Sequence, residues 1–284
     1  MKDNRRLEIR AMTRGELDLA CDWAAVEGWN PGLYDAECFY RTDPHGFFIG
    51  LLDGEPIGSI SAVAYGKSYG FLGFYIVKPD YRGQGFGIQL WNAGMERLQG
   101  RNIGLDGVVA QQDNYKKSGF TPAYRSVRYR WEADAQRSVV RDVVQLSEVP
   151  KEKLGAYDLR LFGVDRRQFL ECWISRPQTE SLGVLHEGNP VGYGVLRKCR
   201  NGFKMGPLFA DDLDIADLLF RGLTANLDQG TEVFLDVPQV NLAAVRLASE
   251  KAMTPVFETA RMYVGGAPNI PVNRWFSVTS FELG

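Results

Sequence analysis

"DGEPIG" at 53–58 and "EGNPVG" at 187–192 are near-copies, 134 residues apart. "FTPAYRSVRY" at 120–129 and "MTPVFETARM" at 253–262 match at an offset of 133. Two landmarks at nearly one offset constrain the chain more than any single motif does. They read as one folding unit made twice. Two unrelated hairpins that share Gly-Pro turn chemistry are the competing reading. The period is the size of a domain, so the chain is not a solenoid. Its 284 residues suffice for two domains with a sizeable core. The expected division is residues 1–135 and 140–284. The polar, aperiodic "EADAQRSV" at 132–139 reads as the linker between them.

Local patterns give the elements of the first copy. "LEIRAMT" alternates like a strand. Thr13 with Glu16 three residues on is a capping box, and it opens a helix to about Glu27. "GWNPG" breaks that helix, and a second is expected over Leu33 to Arg41. "GFFIGLL", Asp53-Gly54 and "EPIGSISAVAY" read as a hairpin, and "YGFLGFYIV" as a third strand. A helix follows with Ile88, Leu90, Trp91, Met95 and Leu98 as its apolar positions. "IGLDGVV" is a strand, "DNYKKSGF" ends a short helix at Gly119, and "PAYRSVRYRW" is the last strand.

Composition excludes several classes. Net charge is −2, so the basic excess of a general nucleic-acid binder is missing. No apolar run approaches the roughly 18 residues of a membrane span. No signal peptide is read in "MKDNRRLEIR". Cys21, Cys38, Cys172 and Cys199 form no Cys-x-x-Cys pair. No metal site is therefore expected, and the thiols should be buried or idle in a reducing cytosol. His45 and His186 sit beside turn signals and read as surface residues.

The densest stretch is "YIVKPDYRGQGFG" at 75–87. It lacks the lysine of a P-loop, and Ile88 stands where a dinucleotide fingerprint needs a spaced third glycine. What remains is Arg82-x-x-Gly85-x-Gly87 between a strand and a helix. Residues without Cβ let backbone N–H groups approach phosphate oxygens closely. A helix start offers unpaired N–H groups at the positive end of its dipole. "RGQGFG" resembles the pyrophosphate loop of the GNAT superfamily of N-acetyltransferases, and "YKKSGF" at 115–120 resembles that family's Tyr-x-x-x-Gly-Phe pattern. The likeness covers roughly residues 7–132.

The resemblance implies an α/β (α+β) fold: two GNAT-like domains, each a mixed, mostly antiparallel sheet flanked by helices. It implies acetyl-CoA as cofactor, held by Tyr75, Ile76, Val77, Arg82, Gly83, Gln84, Gly85, Phe86, Gly87, Asn114 and Tyr115. Pro79 lacks an N–H and fits where the strand stops pairing. The Val77 N–H would stabilise the thioester oxygen, and Tyr115 would protonate the departing sulfur. For the base, Asp106 in its strand and Glu27 before "GWNPG" are the candidates. Trp29, Asn30 and Tyr34 are expected near the acceptor. Many members carry an Asn seven positions before the tyrosine, but Val108 stands there; Gln111, Gln112 or Asn114 would replace it.

In the second copy, Arg82 to Gly87 map to "ADLLFR" at 216–221 and Tyr115 to Ala248, so the loop and the acid are gone. Asn241 in "NLAAVRL" keeps the position that Val108 lost. This copy resembles the degenerate GNAT-like domain of YitH-like tandem proteins, shaping the acceptor site and mimicking a dimer partner. The leading expectation is a cytoplasmic acetyltransferase acting on a small primary amine, as a monomer with an internal pseudo-dimer or as a homodimer. Protein lysine or N-terminal acetylation, and a non-catalytic acyl-CoA sensor, are the alternatives. No nucleic-acid or membrane partner is expected.

Overall fold

Thr13 caps the first helix as the sequence dictates: its hydroxyl accepts from the Glu16 N–H, and the Glu16 carboxylate accepts from the Thr13 N–H. The computed structural model describes residues 6–134 and 140–284. The expected linker lies outside the described residues over 135–139. The first half runs β1 (Leu7–Ala11), α1 (Arg14–Val26), α2 (Asp35–Thr42), β2 (Phe47–Leu52), β3 (Glu55–Tyr65), β4 (Tyr69–Val77), α3 (Phe86–Arg97), β5 (Asn102–Val108), α4 (Gln112–Lys117) and β6 (Thr121–Glu132). The second runs β7 (Val144–Gln145), α5 (Lys151–Phe162), α6 (Arg167–Ile174), β8 (Thr179–His186), β9 (Asn189–Lys198), β10 (Phe203–Ala210), α7 (Leu213–Thr224), β11 (Glu232–Pro238), α8 (Leu242–Glu250), β12 (Thr254–Val264) and β13 (Trp275–Ser277).

The repeated hairpin is the same turn in both halves. Asp53-Gly54 and Glu187-Gly188 all take positive φ, which the two-residue turn joining twisted strands requires. Each hairpin also carries a register shift, between Gly50 and Leu51 in one and between Val184 and Leu185 in the other. Helix α3 buries Leu90, Trp91 and Leu98 as expected, whereas Ile88 faces solvent at 55% exposure, on the side turned from the sheet.

The two sheets are not separate. All strands join one mixed sheet, ordered β1-β2-β3-β4-β5-β12-β6-β11-β10-β9-β8-β7, with β13 beside β10. Among the described residues, only β4–β5 and β10–β11 run parallel. Strand β12 of the second half pairs with β5, and β6 of the first pairs with β11, so the halves exchange their long strands. Strands β6 and β12 also pair with each other, with Ser126 opposite Thr259. These residues correspond at the repeat offset of 133, so an internal twofold axis passes through that pair.

The same symmetry brings α2 against α6. Phe39 stacks on Trp173 with ring centres 5.7 Å apart, a contact worth about 0.5–1.5 kcal/mol beyond burial. Cys38 and Cys172 are bonded in a disulfide across a sequence separation of 134. The expectation of four idle thiols therefore fails for this pair, because the twofold sets equivalent residues face to face. Cys21 and Cys199 are free and buried. One apolar core, including Phe39, Phe74, Phe162, Trp173 and Trp275, runs continuously through both halves.

Candidate active site

Strands β4 and β5 pair only over Tyr69–Leu72 and Asn102–Leu105. Beyond that they part. Phe74 takes φ +45, and the β3–β4 register shifts between Ser59 and Ser61, so β4 bends away while β5 stays on β12. Ser59 fixes the bend by donating to the Phe74 carbonyl oxygen at 2.8 Å. The opening is a cavity of about 470 Å³ between the two strands. Tyr75, Ile76 and Val77 form one wall, and Asp106, Gly107 and Val108 the other.

The glycine stretch stands at its mouth. Gly83 and Gly85 take φ +75 and +86, the left-handed region where a side chain strains the backbone. Gly85 is the N-cap of α3 and has no side chain to satisfy the first amides, which stay open. A Cβ on Gly87 would stand 2.8 Å from the Tyr75 hydroxyl. Lys78 N–H donates to Ile57 on β3, so strand alternation turns the Val77 N–H towards the cavity. Arg82 donates through Nε to the Val77 carbonyl oxygen at 2.7 Å and pairs through Nη2 with Glu27. Gln84 is exposed, its amide donating to the Asp80 carbonyl. The Phe86 side chain departs from expectation: it is buried beneath α3 with Leu7, Leu52 and Ile57, leaving only its backbone at the loop.

Tyr115 lines the cavity from α4 and stacks on Trp91, ring centres 5.4 Å apart. Gly107 makes room for its ring: a Cβ there would collide with it. Burial, reinforced by nearby Tyr75, pushes the phenol up to about 12. It therefore keeps its proton at neutral pH, as a proton donor must. Asn114 is displaced from its expected place. One residue earlier on the helix, it is turned about 100° away. It is exposed and bonds with Gln111 and Lys117, while Gln111 lines the cavity instead.

Neither expected base is free. Asp106 accepts from Arg261 Nε at 2.8 Å and Nη2 at 2.6 Å, so both oxygens are engaged. Asp236 on β11 takes Arg128 from β6 in the same way. Each arginine comes from the exchanged strand of the other half. The duplicated pair belongs to the strand exchange, and both oxygens of Asp106, the expected base, are engaged by Arg261 within it. Burial opposes the charge on Arg261, and Asp106 outweighs that effect, holding its pKa well above the usual range. Glu27 lines the cavity but is paired with Arg82.

Of the residues expected near the acceptor, only Trp29 lines the cavity. Its carbonyl accepts from Arg128 at 2.9 Å and Lys204 at 3.0 Å. Asn30 is instead bonded to the backbone of Asn201 on both sides. Tyr34 lies on the surface at 39% exposure. The cause is local: Gly32 bridges to Cys199 and the Leu33 N–H donates to Lys198, which draws this segment onto the second half. Sequence reasoning missed Phe257, Thr259, Phe281 and Glu282, all lining the cavity from the second half. The match of 120–129 with 253–262 was the available signal for the first two. The others follow β13, where no repeat landmark falls.

Residues 14–120 match the family model described as "Acetyltransferase (GNAT) family", and residues 155–277 that described as "Acetyltransferase (GNAT) domain". The chain belongs to the GNAT superfamily. It is a tandem GNAT protein. It is 29% identical to holothin acyltransferase of Pseudoalteromonas sp. (strain SANK 73390), over 100% of this chain and 97% of that protein. It is 26% identical to the uncharacterised N-acetyltransferase YitH of Bacillus subtilis (strain 168), over 68% of this chain and 69% of that one. A crystal structure from Pyrococcus horikoshii shares the fold with a TM-score of 0.83 and 24% identity, over 98% and 96% of the two chains.

The second GNAT copy has the same parting of strands, but it is filled. β10 pairs with β11 only over Phe203–Met205 and Val233–Leu235. Into the gap runs β13, pairing with Leu208 and Phe209. Ser277 donates to the Met205 carbonyl at 2.7 Å and accepts from the Asp236 N–H at 2.9 Å, bridging the parted strands. Asn241 caps α8 and donates to the Trp275 carbonyl at 3.0 Å. The start of α7 is closed as well: the Asp212 side chain accepts from the Ile215 N–H. Among the described residues, no cluster of His, Cys, Asp or Glu could hold a metal ion, and no helix is long and apolar enough to cross a membrane.

Proposed function

We propose that the chain transfers an acetyl group from acetyl-CoA to the primary amine of a small molecule, by direct attack of the amine on the thioester. One observation carries the reading: the parted β4 and β5 lead straight to the uncapped start of α3, with Tyr115 beside the opening. The residues suit the donor. The open amides at Gly85 to Gly87 offer a diphosphate its hydrogen bonds, and Arg82 adds a cation. The free edge of β4 from Tyr75 to Val77 offers an amide-bearing arm a strand to pair with. When bound, acetyl-CoA supplies the activated acetyl group. The Val77 N–H is then the donor for the carbonyl oxygen, and Tyr115 returns a proton to the sulfur.

A small acceptor is favoured over a protein because Phe257 and Phe281 of the second copy, together with Trp29 of the first, wall the cavity. The internal twofold supplies within one chain an interface like that of a dimer, so a single chain is the proposed working unit, for the first-half cleft alone. The division of labour at 1–135 and 140–284 is part of the same reading: donor binding in the first copy, acceptor walls from the second.

A free-thiol assay with acetyl-CoA and a set of primary amines tests this. Tyr115→Phe should slow turnover by about 100-fold, the low end for a general acid, because a thiol of pKa roughly 8.5 is already a fair leaving group. Acetyl-CoA affinity should stay within about threefold. A collapse of affinity with an unchanged rate at saturation would make Tyr115 a packing residue.

A further inference from the structure

Two buried polar side chains among the cavity's lining residues, Glu282 and Thr259, make no side-chain hydrogen bond. Glu282 is 2% exposed, and neither carboxylate oxygen has a hydrogen-bond partner. Thr259 is also 2% exposed, and its hydroxyl is unpartnered. Both line the cavity. An unsatisfied buried carboxylate is costly and calls for a partner. The surrounding groups that act on it electrostatically are Arg128 from β6, Arg197 from β9, Lys204 from β10, Asp106 from β5 and Cys21 from α1. Each of the three cations makes its hydrogen bonds elsewhere: Arg128 to Asp236 and Trp29, Arg197 to Asp35 and Gly206, Lys204 to Trp29. The rings of Phe257 and Phe281, which also line the cavity, stand 6.2 Å apart, each with one face under the Arg128 guanidinium.

Resting on the acetyltransferase reading above, we propose that Glu282 is the acceptor-binding carboxylate, and that the acceptor is a primary amine with one ammonium group and a flat apolar body. Asp106 is engaged by Arg261 and Glu27 by Arg82, so the cavity has one carboxylate to spare, which suits a single positive charge and not a polyamine. The phenyl rings of Phe257 and Phe281 take the apolar body, and the Thr259 hydroxyl accepts a second N–H. Glu282 takes one proton from the ammonium. The nitrogen then attacks the thioester carbonyl carbon, and the C–S bond breaks. Tyr115 gives its proton to the sulfur and regains one from the nitrogen, leaving the amide and the thiol. Glu282 releases its proton to solvent.

Phenethylamine, 2-phenylethanol and spermidine are suitable probes for the full-length protein. With acetyl-CoA, phenethylamine should be acetylated in preference to spermidine. Glu282→Gln should lower kcat/KM for phenethylamine by at least about 30-fold, the effect of removing one charge from a buried charge-assisted pair. Glu282→Asp should recover part of it. Acetyl-CoA affinity measured by calorimetry should stay within about threefold, which also shows that the variant is folded. Inhibition by 2-phenylethanol, which carries no ammonium, should be the same in Glu282→Gln and wild type. Equal kcat/KM in Glu282→Gln and wild type, an equal loss for 2-phenylethanol, a preference for spermidine, or no turnover of phenethylamine by protein that binds acetyl-CoA would each overturn the assignment. Failure of the wild type to bind acetyl-CoA would instead overturn the donor reading beneath it.

Discussion

Gly85→Val should weaken acetyl-CoA binding by about 10- to 100-fold and leave the melting temperature within about 2 °C of wild type. Gly85 takes φ +86, and a Cβ there would meet no protein atom within 4 Å. The fold therefore has nothing to clash with. A β-branched residue in the left-handed region costs on the order of 1–3 kcal/mol. The loop is at the surface and can relax to escape that strain. Relaxation leaves a smaller fraction of molecules with the amides aimed at a diphosphate, and affinity falls by that fraction. Each 1.4 kcal/mol is about tenfold. Titration calorimetry beside a thermal melt separates the two effects. Unchanged affinity would remove the basis for the phosphate loop.

Arg261→Ala carries the largest expected loss of stability. It strips the cation from a pair whose side chains are 1% and 0% exposed, leaving Asp106 buried and uncompensated. Such a loss costs about 3–5 kcal/mol. For a chain of this size, that lowers the melting temperature by roughly 6–20 °C. Arg128→Ala should behave alike, because Arg128 and Asp236 are 3% and 4% exposed in the equivalent pair. If Arg261→Ala melted like wild type and lost only turnover, the pair would serve catalysis and Asp106 would again be a candidate base.

The parts of the fold set by local chemistry were legible in the sequence. The capping box at Thr13, the paired turns at 53–54 and 187–188, and the loop at 82–87 each depend on a few adjacent residues. The exchange of β6 and β12 was not legible. A strand's alternation records which face is buried and says nothing about which neighbour lies along its edge. That blind spot cost the site its second-copy residues. It also made Asp106 look like an unattached carboxylate, because its partner lies 155 residues away. That Tyr115 lines the cavity was legible because its neighbours Gly119 and Phe120 mark the motif. Asn114 points away from the cavity because a one-residue step on a helix turns a side chain by about 100°. Glu282 stands in a tail with no periodicity and no counterpart in the first half, so nothing local announced it.

On the proposed function, one cleft binds acetyl-CoA while the other is closed by β13. Titration of the full-length chain with acetyl-CoA should give one site per chain. Asn241→Ala, which loosens the hold on Trp275 but leaves the first cleft untouched, should bind with the same affinity and stoichiometry as wild type. Gly85→Val should lose that single site. Two equivalent sites per chain, or a site lost in Asn241→Ala but kept in Gly85→Val with the fold intact by circular dichroism, would contradict the account.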